Sequence, residues 1–83
     1  MEEIHEPISV IVISDAIKRS VKPFRIKWRN RTYQIKKVAS HYSLPSKGIL
    51  YHYYSVIMQG CNMILKMNGE TMLWEIESMI ITE

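Results

Sequence analysis

From Pro23 onward the chain alternates with a period of two: Phe24, Ile26 and Trp28 on one side, Arg25, Lys27 and Arg29 on the other. Only a strand with one dry and one wet face uses such a pattern, so this segment must find a sheet to join. Asn30 follows, a residue that tolerates positive φ, and alternation resumes in Arg31-Thr32-Tyr33-Gln34-Ile35 with Tyr33 and Ile35 inward. The spacing predicts a tight hairpin at Arg29-Asn30. Val38 is then out of phase with Ile35, and a β-bulge near Lys36-Lys37 would restore the register and bend the strand.

Further strands follow from the same reasoning. Ser43-Leu44-Pro45-Ser46-Lys47-Gly48 has the composition of a loop, after which Ile49 to Met58 is dense in tyrosine, valine and isoleucine. Gln59-Gly60 punctuates the chain. Asn62 to Met67 continues with Met63, Leu65 and Met67 in one phase, and Asn68-Gly69 predicts a type I′ hairpin into a strand over Met72 to Ile80, with Trp74 and Ile76 inward and Glu75 and Glu77 outward. Near the start, Ile8 to Ile13 is β-branched and reads as a strand. Residues 15–22 form a short helix capped by Ser14 or else a loop. The expectation is an all-β domain over residues 1–83: an antiparallel meander of about five strands that closes into a small SH3-like barrel and so removes exposed sheet edges. Trp28 and Trp74 are expected in its core.

With 83 residues, 47% of them hydrophobic and 23% charged, the chain suits one globular domain and not a disordered tail. No apolar run reaches the roughly 18 residues that span a bilayer, and the acidic opening Met1-Glu2-Glu3 is unlike a basic signal-peptide start. A cytoplasmic setting without a membrane partner is expected. The single cysteine, Cys61, cannot close an internal disulfide and has no second cysteine at metal-ligand spacing.

Glu6-Pro7-Ile8, Pro23 through Ile35 with Val38, Tyr54 and Val56, Leu65, and Trp74-Glu75-Ile76 together resemble a small bacterial all-β domain family of unknown function. The likeness spans nearly the whole chain. Similar domains occur alone or at the ends of proteins related to Y-family translesion DNA polymerases, and no family function is implied. The family usually has glycine at the place of Asn30 and often tryptophan near that of Tyr42. These are mostly turn and aromatic positions, so the likeness implies a fold more than a site.

Chemistry is sparse. His5, His41 and His52 show no spacing that ties them to a nucleophile or to zinc, and Asp15 is the sole aspartate, so a cluster of hard-cation ligands lacks its residues. There is no glycine-rich phosphate loop. A non-enzymatic module without metal or cofactor is expected.

Charge layout is the informative feature. Net charge is +3, yet no acid occurs between Asp15 and Glu70, and all 11 basic residues fall in that interval, nine of them from Lys18 to Lys37. Arg25, Lys27 and Arg29, with Arg31, Lys36 or Lys37 opposite, would form one basic patch, and like charges directly opposite would oppose folding. Two readings follow. In one, Glu75 and Glu77 or the acidic flanks of the first strand neutralise the patch. In the other it stays open as a phosphate-binding surface, with Tyr51 and Tyr53 available to stack on bases. The candidate nucleic-acid-binding residues are therefore Arg25, Lys27, Arg29, Arg31, Lys36, Lys37, Tyr51 and Tyr53. The alternative function is a protein-interaction or homodimeric adaptor domain, resting on exposure of Met58, Met63, Met67, Met72 and Met79.

Overall fold

The structure, a computed structural model, describes residues 2–82; Met1 and Glu83 lie outside them. Six strands run in chain order: β1 (Glu2–Asp15), β2 (Ser20–Trp28), β3 (Arg31–Ser46), β4 (Ile49–Met58), β5 (Cys61–Asn68) and β6 (Trp74–Ile81). Each pairs antiparallel with its sequence neighbour, and β1 pairs with β6 to close the ring. The expected meander forms a closed barrel, with six strands rather than about five. The described residues contain no helix; thus none is long and apolar enough to cross a membrane.

Closure depends on long strands that change partners. Glu2 to Ile8 pairs with β6, whereas Ser9 to Asp15 pairs with β2. Likewise Arg31 to Gln34 pairs with β2 and Ile35 to Ser46 with β4. The core is the inward phase of these strands: Ile26, Trp28, Ile35, Tyr54, Val56, Met58, Cys61, Met63, Leu65 and Ile76. Trp28 belongs to it as expected. Trp74 is half-buried and packs against it from the side, its ring 5.3 Å from that of Tyr54.

The Arg29-Asn30 hairpin forms as read, with φ of 51° and 64° at its two residues and Trp28 paired to Arg31. The bulge expected near Lys36-Lys37 is present, and a second lies between Val38 and Ser40. Two local expectations need correction, and of the helix and loop alternatives for residues 15–22 the structure has the loop. Residues 43–46 are strand: β3 continues to Ser46, and only Lys47 and Gly48 turn the chain, both with positive φ. The 16–19 connection is a turn, held by the Asp15 carboxylate accepting the Ile17 and Lys18 amides at 3.0 Å, so neither a helix nor a Ser14 cap is used.

Asn68-Gly69 does not make a two-residue turn. The Asn68 side chain accepts the Glu70 and Thr71 amides and its carbonyl accepts that of Met72, so Gly69–Leu73 forms a five-residue loop with the positive φ, 65°, at Met72. Glycine is required at 69 for a different reason. Its amide donates to the Leu50 carbonyl at 2.8 Å, and a Cβ there would overlap that oxygen.

Candidate nucleic-acid interface

Opposite Lys27 and Arg25 on β3 stand Thr32 and Gln34, and on β1 stand Ser9 and Ile11. All four are neutral. The like-charge opposition expected across the first hairpin therefore does not arise, and two cations share an outer face with no penalty from a facing cation.

Arg29 departs from that face. It occupies the left-handed turn, and its guanidinium folds back along the barrel end, 4.5 Å over the Trp28 ring. Its Nε donates to Glu6 Oε1 at 3.2 Å and its Nη2 donates to Oε2, while Trp28 Nε1 donates to the same Oε1 at 3.0 Å. These hydrogen bonds, Arg29 first and Trp28 second, hold the Glu6 carboxyl below its ordinary range, and Glu6 in turn raises Arg29. Arg31 pairs with Trp28, out of phase with Arg25 and Lys27, and is exposed at the barrel end.

Of the two neutralising routes, the first strand's flank supplies one contact and the last strand none. Among the described residues, Arg29 with Glu6 is the sole Lys or Arg pair with a carboxylate within 4 Å. Glu75 faces His5 instead, at 3.8 Å.

Lys36 is the extra residue of a β3 bulge, and Lys37 pairs with Ile57 on the outer face of β4. A matching irregularity in β2 leaves Phe24 unpaired between Arg25 and Pro23. Both bulges fall just beyond the last β2–β3 pair, Arg25 with Gln34, and bulged strands bend. The seam therefore opens into a cleft of about 890 Å³. Its walls carry Lys22, Lys36 and Lys37 with Phe24 and Gln34, its floor includes Ile35 and Met58, and no carboxylate lines it. Lys22, Phe24 and Gln34 are site residues absent from the sequence expectation. The out-of-phase Val38 marked one bulge, but nothing local marks the other.

Tyr51 and Tyr53 lie apart from the basic hairpin, on β4, two strands further around the ring from β2. Tyr53 stacks on Tyr42 (centroids 5.1 Å apart, planes at 10°), and Lys66 Nζ sits 4.5 Å from the Tyr51 centroid and 5.8 Å from that of Tyr53. Lys37 stands between the two groups on the same outer face, so a basic and aromatic track crosses β3 rather than following the first hairpin.

The inward face of the β3–β4 hairpin holds a pair that no linear motif indicated. His41 Nε2 lies 3.3 Å from His52 Nδ1, and the Ser43 hydroxyl is 3.0 Å from the same Nδ1. The His41 ring stacks flat on Tyr54 at 4.3 Å. Partial burial, then the neighbouring His52, pulls the His41 pKa down. A turn placed at Lys47-Gly48 would have revealed the pair, since it sets residue 41 opposite 54 and residue 43 opposite 52.

Cys61 is buried, and burial raises its thiol pKa, which leaves it a poor nucleophile. Compared with protein-family models, curated proteins and solved structures, the chain matches none.

Proposed function

We propose that the chain is a cytoplasmic nucleic-acid-binding module that holds phosphates on Arg25, Lys27, Arg31, Lys36 and Lys37, with Lys22 as a further contact. One observation carries the reading: among the described residues these cations have no carboxylate within 4 Å, and Arg29 alone is neutralised. An open cluster of cations attracts a polyanion through counterion release, which requires no precise pairing. Arg29 leaves the contact set and serves instead to hold the first strand to the hairpin through Glu6. Tyr51 and Tyr53 stay in the reading as flanking contacts at the far end of the track.

Reversing Arg25, Lys27, Lys36 and Lys37 to glutamate tests it directly. All four side chains lie outside the core, so circular dichroism should be unchanged while binding of a labelled oligonucleotide at low salt is lost. Undiminished binding by a folded variant would refute the assignment.

A second reading, a protein-interaction or homodimeric module, rests on a different observation. Its methionine basis is weak, because Met58, Met63 and Met67 are buried, Met79 is half-buried and only Met72 is open. Aliphatic exposure on the β1–β2 hairpin is the stronger ground: Ile11, Val12, Ile13, Ile17 and Val21 all face solvent. Sedimentation equilibrium distinguishes this case, since an Ile17→Ser variant, at a position outside the lysine cleft, would shift a dimer to monomer and leave oligonucleotide affinity alone.

A further inference from the structure

A second pocket, about 640 Å³ in volume, opens on the inward face of the β3–β4 hairpin, and its lining includes His41, His52, Met67, Met72, Trp74 and Arg19. It is separate from the lysine cleft, with which it shares no lining residue. Its composition is unusual in one respect: two imidazoles and two thioethers meet there, and no carboxylate lines it. The geometry points to a site for a soft monovalent d¹⁰ cation, Cu(I) or its surrogate Ag(I), held by His41 Nε2, His52 Nδ1 and a methionine sulfur.

The spacing of the imidazole nitrogens is the first support. Nitrogens bound at about 2.0–2.1 Å to a tetrahedral metal stand about 3.3–3.4 Å apart. His41 Nε2 and His52 Nδ1 are separated by 3.3 Å. A hydrogen bond alone would also account for that distance, but it would not account for what surrounds it. Met67 is paired directly with His52 across the β4–β5 ladder, so the two side chains leave the same face at neighbouring positions. Met72 reaches the same pocket from a backbone at φ 65°, a conformation that methionine rarely adopts.

The donor set then selects the ion. Among the described residues no group of three histidine, cysteine, aspartate or glutamate side chains could hold a metal ion, and the soft donors that share this pocket with the imidazole pair are the thioethers of Met67 and Met72. Thioethers favour Cu(I), and a pocket lined without carboxylate offers little to Mg²⁺, Ca²⁺ or Mn²⁺. Arg19 on the wall repels a divalent ion about twice as strongly as a monovalent one. The His41 ring is held in place by its stack on Tyr54, and a metal at His52 Nδ1 would displace the Ser43 hydroxyl from that nitrogen.

The test titrates the full chain with Ag(I), and with Cu(I) under anaerobic conditions against a chromophoric chelator, with Cys61→Ser as the thiol control. One equivalent should bind, with a change in tryptophan emission from Trp74. His41→Ala and His52→Ala should each weaken affinity by at least the roughly 10- to 100-fold seen when only an outer partner is lost. Met67→Leu or Met72→Leu should weaken Ag(I) binding; His52→Gln is the substitute if the alanine variant does not fold. Absence of stoichiometric binding, binding that survives loss of both histidines, or binding abolished by Cys61→Ser would overturn the site. Unchanged Ag(I) affinity in both methionine variants would overturn the assignment to a soft ion. None of these outcomes depends on the lysine cleft, so the site and the nucleic-acid reading fail separately.

Discussion

Strand β5 buries every second residue, Cys61, Met63, Leu65 and Met67, whereas the outer half of β1 leaves Ile11, Val12 and Ile13 open on both of its faces. Both segments are rich in apolar side chains. What differs is their neighbours: β5 has a paired strand on each side along its whole length, while β1 beyond Ile8 has only β2, because β6 has already ended its contact. A strand with one partner projects as half of a two-stranded arm: Val10, paired with Ile26, still packs against the core, and past it Ile11, Val12 and Ile13 lie open. The tip of the β3–β4 hairpin, beyond the last β4–β5 pair at Tyr51, also projects, and Tyr42, Leu44 and Leu50 are exposed along the hairpin. A radius of gyration of 12.5 Å, against the about 11.8 Å expected for a compact domain of this length, agrees with two projecting arms. Apolar residues in β5 are explained by folding; those on the arms are not, and the lysine cleft and the histidine pocket both lie along the arms.

The largest contrast should appear in stability. Leu65→Ala, at a fully buried position, should cost about 2–5 kcal/mol, and Trp28→Ala about 3–5 kcal/mol, either being enough to unfold much of a small domain. Ile17→Ser, at a position 95% exposed on the arm, should stay within about 0.5 kcal/mol. Denaturant melts of the variants check this. Equal losses in core and arm would mean that the arm is packed in solution, and the contrast would fail.

A smaller effect separates two glycines. Gly69→Ala places a methyl group against the Leu50 carbonyl, where backbone must move, and should cost about 1–3 kcal/mol as overpacking does. Gly48→Ala meets open space and carries only the left-handed φ of 82°, an expected loss of about 1–2 kcal/mol. A melt in which Gly69→Ala is harmless would show that the loop under the β3–β4 arm is free to shift.

The smallest effect is on pH dependence. The folded state lowers the His41 pKa, so between that value and the unfolded value, which is near 6.5, the unfolded chain binds more protons. Stability should be complete above about pH 6.5 and decline as pH falls through the folded value. His41→Phe, which keeps a ring on Tyr54, should flatten that part of the curve. Rising stability on acidification would contradict the assigned burial.

Most of the barrel was legible because period-two alternation survives wherever both neighbours are present, as in Ile26 to Trp28 and Met63 to Met67. Legibility failed on the arms, where no buried face imposes a period. Ser43 to Ser46 has a loop's composition yet pairs residue by residue with Ile49 to His52, held by the tight Lys47-Gly48 turn. Asn68-Gly69 misled because the Asn68 side chain captures two amides beyond it and lengthens the loop. For the site, Arg25 and Lys27 could be read from one strand. The loss of Arg29 could not, since Glu6 is distant in sequence and arrives only through the β1–β6 closure. The cleft needed two bulges at one level of the seam, a coincidence in space that a linear pattern does not record.

Salt dependence of oligonucleotide affinity tests the central claim most directly. If about four of the open cations meet phosphates, the log-log slope should be near −3.6 on duplex and near −2.8 on a single strand. The charge-reversed variant should show no measurable binding at the lowest salt. Absence of binding by the unmodified chain at low salt, or an affinity that does not change with salt, would contradict a phosphate-binding surface and leave the exposed aliphatic arm as the working face of the molecule.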